Sequence, residues 1–292
     1  MRYVIENETM KVEVESLGAE LKSMQDKLTG LDYMWCADPE YYKRTSPNLF
    51  PIVGSLKDGK YSYDGRDYAM SQHGFARDME WMAEKKSESE ISFYLNSNEE
   101  TFEKYPFAFG LELNYALTDR DLKVTWNVAN PSDEKLYFSC GGHPCFTCPI
   151  HGETDKRGYG YHFHTDEDIT YTGIDLVSGL MLPEEKVLHL ADGKAEFTPE
   201  FFDGGAYIVA GHQTQKVSLY DPSGRDYLTV SFDAPLFGLW SAEGKDAPYA
   251  AIEPWYGRCD RADFHGTWTE REWGNELDAK KTFSGSYTIS VL

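Results

Sequence analysis

Three short segments of the chain hold side chains suited to moving protons. In QHGFARD, Gln72 to Asp78, His73 is followed by a glycine and then by Arg77. In GGHPCF, Gly141 to Phe146, His143 follows two glycines and precedes Pro144; glycine reaches backbone angles closed to other residues, and proline fixes the chain direction, so the pair aims a side chain. In AIEPWYG, Ala251 to Gly257, Glu253 stands at the end of an apolar run beside Pro254, Trp255 and Tyr256. A carboxylate desolvated by aromatic neighbours titrates nearer neutrality and serves as a general base, while aromatic faces such as Trp255 stack on the C–H face of a sugar ring.

Each segment also has a plainer reading when taken alone. His73 caps a turn with Arg77 in solvent, His143 packs beside a turn, and Glu253 pairs with Arg258 or Arg261 at a strand end. A fourth pattern overlaps the second: His143, Cys145, Cys148 and His151 give C-x-x-C flanked by histidines, a superficial zinc spacing. Strand alternation points Cys148 away from His143 and Cys145, and there is no second ligand pair at a distance, so no metal is expected. The other histidines, His162 and His164 among them, form no ligand spacing of the H-E-x-x-H kind. Phosphate-loop, dinucleotide and G-x-S-x-G motifs are absent, which removes support for nucleotide-dependent and serine-hydrolase chemistry.

The elements that must position these side chains are strands. Met10, Val12 and Val14 alternate with charged residues, as do Leu122, Val124, Trp126 and Val128 with polar ones. Runs rich in β-branched and aromatic residues begin at Ile91, Leu111, Tyr227 and Leu236, and another closes the chain. Turn pairs punctuate them at Asp58-Gly59, Asp64-Gly65, Asn130-Pro131 and Asp221 to Gly224. Two short helices are expected, at Thr198 to Phe202 and Thr269 to Leu277. Without βαβ alternation, fixed-period repeats or a linker, residues 1–292 read as one all-β antiparallel domain.

Charge narrows the partners. The 49 acidic and 28 basic residues leave a formal net charge of -21, which repels nucleic acid and anionic membranes. A neutral small molecule is unaffected by that field, and a local arginine cluster still suits one phosphate. The opening lacks a secretory signal and no apolar run is long enough to span a bilayer, so a cytoplasmic protein is expected. Its five cysteines are expected as reduced thiols.

In their order along the chain, NLFPIVGSLKDGKYSYDGRDYAMSQHGFARD, GGHPCF and FGLWSAEGKDAPYAAIEPWYG resemble the aldose 1-epimerase superfamily, and more narrowly its LacX-type branch. The resemblance implies a β-supersandwich with a shallow sugar cleft, a hexose as the small-molecule partner, and neither metal nor organic cofactor. It implies His143 as general acid and Glu253 as general base, with His73 and Arg44 contacting the sugar. Such relatives often carry two acids in a segment like FFDGGAY; here Asp203 is kept and Gly205 stands at the second position. Arg44, Arg77 and Lys57 leave a phosphorylated hexose as an alternative substrate, and the altered segment leaves a non-catalytic sugar-binding or sensing protein.

Overall fold

Strict alternation along the strands builds two sheets around one core. In the computed structural model, which describes residues 1–292, strand Asp121–Ala129 buries Leu122, Val124, Trp126 and Val128 and turns the residues between them outward. It pairs with Gly110–Thr118 on one side and Thr282–Val291 on the other, in the middle of a nine-stranded sheet. An eight-stranded sheet runs from Met181–Leu188 through Ile169–Ile174, Tyr207–Ala210, Leu236–Trp240 and Tyr249–Tyr256 to Cys140–Gly142 and Asn48–Leu49, with Cys145–Thr147 also paired to Tyr249–Tyr256. Every pairing within named strands is antiparallel, so the all-β reading holds. Aromatic rings join the sheets: Trp126 meets Tyr256 at 6.1 Å and Phe232 meets Phe237 at 5.2 Å between centroids.

A three-stranded meander, Arg2–Glu6, Met10–Glu15 and Glu20–Asp26, begins the chain. At Asp64-Gly65 both residues take positive φ, 49° and 72°, and turn Lys60–Tyr63 back onto Arg66–Ala69. No helix is long and apolar enough to cross a membrane.

The two expected helices do not form as read. Residues 199–204 are turns, and within Thr269 to Leu277 a single 3-10 turn, Trp268–Glu270, leads to strand Asn275–Leu277. Pairing of that strand with Leu136–Phe138 overrides its local helical composition. The α-helix that does form, Glu99–Lys104, is started by a capping box: Asn98 Oδ1 accepts from the Thr101 amide at 3.0 Å, and Thr101 Oγ1 accepts from the Asn98 amide at 2.8 Å.

Candidate active site

Strand Tyr249–Tyr256 is buried along its whole length and uses its two faces differently. Ala250, Ile252 and Tyr256 enter the main core, whereas Tyr249, Ala251 and Trp255 pack in satellite clusters on the opposite face. The period of two puts Glu253 on that second face, beside Trp255. Its partner on the next strand is Gly238, where a Cβ would lie 2.5 Å from the Trp255 ring. The missing side chain there gives the indole its place.

His143 reaches Glu253 from the other side. Gly141 pairs with Trp255 and Cys145 with Ala251, so His143 stands opposite Glu253 in register. His143 Nε2 lies 3.3 Å from Glu253 Oε2, and the two residues are 6% and 1% exposed. Tyr42 stacks on the imidazole at 5.4 Å and 23°, and Trp240 meets it edge-on at 5.4 Å and 84°. Cys145 Sγ packs 3.7 Å from Nδ1.

His73 stands behind this pair, its ring 5.6 Å from that of His143. It sits in a turn at φ 66°, followed by Gly74 at φ 74°, where a Cβ would lie 2.2 Å from the Phe50 carbonyl oxygen. The Gly54 amide donates to His73 Nδ1 at 3.0 Å, which leaves the neutral ring's proton on Nε2. Arg44 donates to the Arg77 carbonyl at 3.3 Å and pairs with Asp78; Arg77 donates to the Gln72 carbonyl at 2.7 Å.

These residues line one cleft of about 500 Å³, together with Trp240, Glu243, Trp255 and the apolar segment Ile174, Leu176 and Val177. Glu253 Oε2 and Arg77 Nε are buried in it without a hydrogen-bond partner, a state that ordinarily costs free energy unless a ligand or water supplies the bond. Burial pushes the Glu253 carboxyl well above its usual range. Burial, helped by the charges of Arg77 and Arg44, takes the His143 imidazole down to about 3. Desolvation thus disfavours charge on both partners. The uncharged forms, a carboxylic acid facing an imidazole, are the ones burial favours.

The description "Aldose 1-epimerase" belongs to the family model that matches residues 1–269. The chain belongs to the aldose 1-epimerase family. Among relatives of this aldose 1-epimerase family member, the chromosomal protein LacX of Lactococcus lactis is 29% identical over 309 aligned positions spanning 100% of both chains. A galactose mutarotase related enzyme from Lactobacillus acidophilus is 34% identical, with a TM-score of 0.93 over 100% of this chain and 97% of that one. A galactose mutarotase-like protein from Lactobacillus casei is 29% identical, with a TM-score of 0.92 over 100% of both chains. The galactose mutarotase-like β-sandwich expected from the motifs is thereby shown.

Of the side chains named from the sequence, His73, Arg44, Arg77, His143, Glu253 and Trp255 meet in this cleft. Asp203 does not: it lines a separate hollow of about 170 Å³ with Lys156, Phe202 and Asp246, because the turn after Phe202 carries it off the cleft wall. Lys57 is also elsewhere, donating to the Phe264 carbonyl at 3.0 Å. The zinc spacing dissolves, since Cys148 packs in the main core. Gly205 has φ 76°, and a Cβ there would lie 2.7 Å from Leu176 Cδ2, so the apolar segment Ile174–Leu176 fills the space a side chain would use. Tyr42, Trp240 and Glu243 were not anticipated. Trp240 could have been found by alternation, being two residues from Gly238 on the strand paired with Glu253.

Proposed function

We propose that the protein is a mutarotase that interconverts the α and β anomers of a free hexose, with Glu253 and His143 as its proton-transferring pair. The observation that carries this reading is the buried, unpartnered Glu253 Oε2, 3.3 Å from His143 Nε2 in a cleft large enough for a hexose. Opening a hemiacetal requires a base for the C1 hydroxyl proton and an acid for the ring oxygen as C1–O5 breaks. Closing on the other face of C1 reverses the two tasks.

The uncharged pair supplies both roles. Hydroxyls of a bound hexose donate to Glu253 and stabilise its ionised form, and the proton passes to His143 Nε2. Glu253 then accepts the C1 hydroxyl proton while His143 donates to the ring oxygen. His73, with its Nε2 proton, donates to a sugar oxygen from the third side. Glu243 accepts the Trp240 indole proton at 2.9 Å on one oxygen and keeps the other for a sugar diol.

Arg44 and Arg77 favour a phosphorylated hexose by position, but Asp78 and backbone carbonyls already engage them. The free sugar is the better fit. Polarimetry on freshly dissolved α-D-glucose and α-D-galactose tests the proposal: rotation relaxes faster with the protein than in buffer. Sugar binding seen by calorimetry without faster relaxation would make this a binding or sensing protein instead.

A further inference from the structure

A second cluster of chemistry-bearing side chains lies on the nine-stranded sheet, away from the cleft. In strand Gly160–His162 Tyr161 is fully buried in the core, so alternation turns His162 to the outer face, and a bend after the buried Phe163, with His164 at φ 54°, brings the His164 ring to 3.8 Å from that of His162. Asp226, from the start of strand Asp226–Phe232, reaches the same place. His162 Nδ1 is 2.9 Å and His164 Nε2 is 3.5 Å from the one oxygen, Asp226 Oδ2. Ligand atoms of the three residues all lie within 4.8 Å of one another, and this is the sole convergence of three or more histidine, cysteine or acidic ligand groups in the chain.

We propose that His162, His164 and Asp226 form a binding site for a divalent transition cation of the zinc class. Tetrahedral coordination with bonds of about 2.0–2.1 Å puts neighbouring ligand atoms roughly 3.4 Å apart, and the 2.9 and 3.5 Å separations bracket that edge. Two imidazoles and one carboxylate suit zinc or nickel and not magnesium or calcium, which take oxygen. An ion pair accounts for His162 with Asp226 alone. A hydrogen bond to Ser218 at 2.7 Å engages His164, yet neither contact requires the two rings to stand 3.8 Å apart beside one carboxylate oxygen, where protonated rings would repel.

Support around the ligands is already in place. Ser218 Oγ is 2.7 Å from His164 Nε2 and 2.7 Å from Thr229 Oγ1, so this hydroxyl can turn its proton to Thr229 and offer its oxygen towards the cation. The three ligand side chains are between 18% and 23% exposed, shielded yet open to an ion. Lys194 and Lys216 are the nearby cations; Lys194 is held by the Gly224 carbonyl at 2.7 Å. A bound ion would tie the Gly160–His162 edge region to Asp226–Phe232 across Lys216–Tyr220.

The test is calorimetric titration of the chelator-stripped full chain with zinc chloride and, separately, magnesium chloride. One zinc per chain is expected, with magnesium at least about tenfold weaker. His164→Asn, which keeps a polar partner for Ser218, and Asp226→Asn are each expected to weaken zinc at least about tenfold. Cys36→Ser, removing the exposed thiol, is expected to leave zinc affinity unchanged. Melting curves identify any variant that fails to fold, and the other ligand variant then decides. The proposal is overturned if the unmodified chain takes up no zinc, or if both folded ligand variants bind it as tightly as the unmodified chain.

Discussion

His143 and Glu253 are cross-strand neighbours on one face of a sheet. The register Gly141 to Trp255 and Cys145 to Ala251 leaves residue 143 opposite residue 253, although strand pairing is interrupted between Gly142 and Cys145. Both registers carry through the gap: the His143 amide bonds the Pro47 carbonyl at 3.1 Å and the Ile252 amide the Pro144 carbonyl at 3.3 Å, and only the bond for which Pro144 lacks an N–H to donate is missing. Residues directly opposite in an antiparallel pair have Cβ atoms about 4.5–5.5 Å apart, and from that spacing the imidazole meets the carboxyl at 3.3 Å. For catalysis the first expectation is direct. Glu253→Gln and His143→Asn each lower kcat for mutarotation by at least about 10²-fold in polarimetry. Unchanged rates in both would remove the pair from the mechanism.

The same burial that tunes the pair makes it a stability liability with a defined pH dependence. Glu253 titrates higher in the folded than in the unfolded chain. Its stabilising contribution is therefore complete below the ordinary value of 4.5 and is lost as pH rises through the raised one. Glu253→Gln should gain in melting temperature over the unmodified protein as pH is taken from 6 to 9, by at least about 2 °C at the alkaline end. His143, lowered from 6.5 to about 3, acts oppositely: its contribution is present above 6.5 and is lost on acidification through that window. His143→Asn should flatten the acid side of the melting profile, and parallel curves for variant and parent would contradict the buried neutral imidazole.

Much of this arrangement was legible because strand side chains alternate. The Leu122 to Val128 pattern forecasts the central strand, and GGHPCF and AIEPWYG mark the two segments that meet across the cleft. What composition did not reveal depends on register and on loops. Pairing of Leu236–Trp240 with Tyr249–Tyr256 brings Trp240 to the cleft, and a turn removes Asp203 from it. Neither follows from local sequence. His162 and His164 looked scattered because their partner Asp226 is supplied by a strand two positions away in the sheet.

Gly205 illustrates the same point and yields a test. An acid restored there by Gly205→Asp meets φ 76° and the Leu176 side chain at 2.7 Å from Cβ. Leu176 is flexible and can shift, so the backbone angle sets the cost at about 1 kcal/mol. The variant should melt lower by a few degrees and show no fall in KM for glucose or galactose. A lower KM would mean that the segment Ile174–Leu176 moves aside for a sugar-binding carboxylate.

Glu243 is a second carboxylate in the cleft, together with Glu253. One of its oxygens accepts from Trp240 at 2.9 Å, which orients the group. Glu243→Gln keeps the size and an acceptor for the indole but loses the charge, and charge-assisted bonds are roughly twice as strong as neutral ones. KM should rise by about tenfold with kcat within about twofold, corresponding to about 1.4 kcal/mol of sugar binding shared by ground and transition states. Loss confined to kcat would place Glu243 with the proton-transferring groups.

The arginines decide how the protein treats a phosphorylated hexose. Arg44 and Arg77 line the cleft, yet Asp78 pairs with Arg44 and lies 3.8 Å from Arg77 Nε. A phosphate arriving there competes with a carboxylate already in place, in the field of a chain with net charge -21. Glucose 6-phosphate should therefore show no higher kcat/KM than glucose. Asp78→Asn removes the competing charge and leaves both guanidiniums facing the cleft, so it should raise kcat/KM for the phosphorylated sugar several-fold while changing that for glucose little. The contrast should shrink as salt is added, since Asp78 is 53% exposed and its interactions are screened. If the unmodified protein already prefers glucose 6-phosphate, the arginines serve the substrate and Asp78 is displaced on binding.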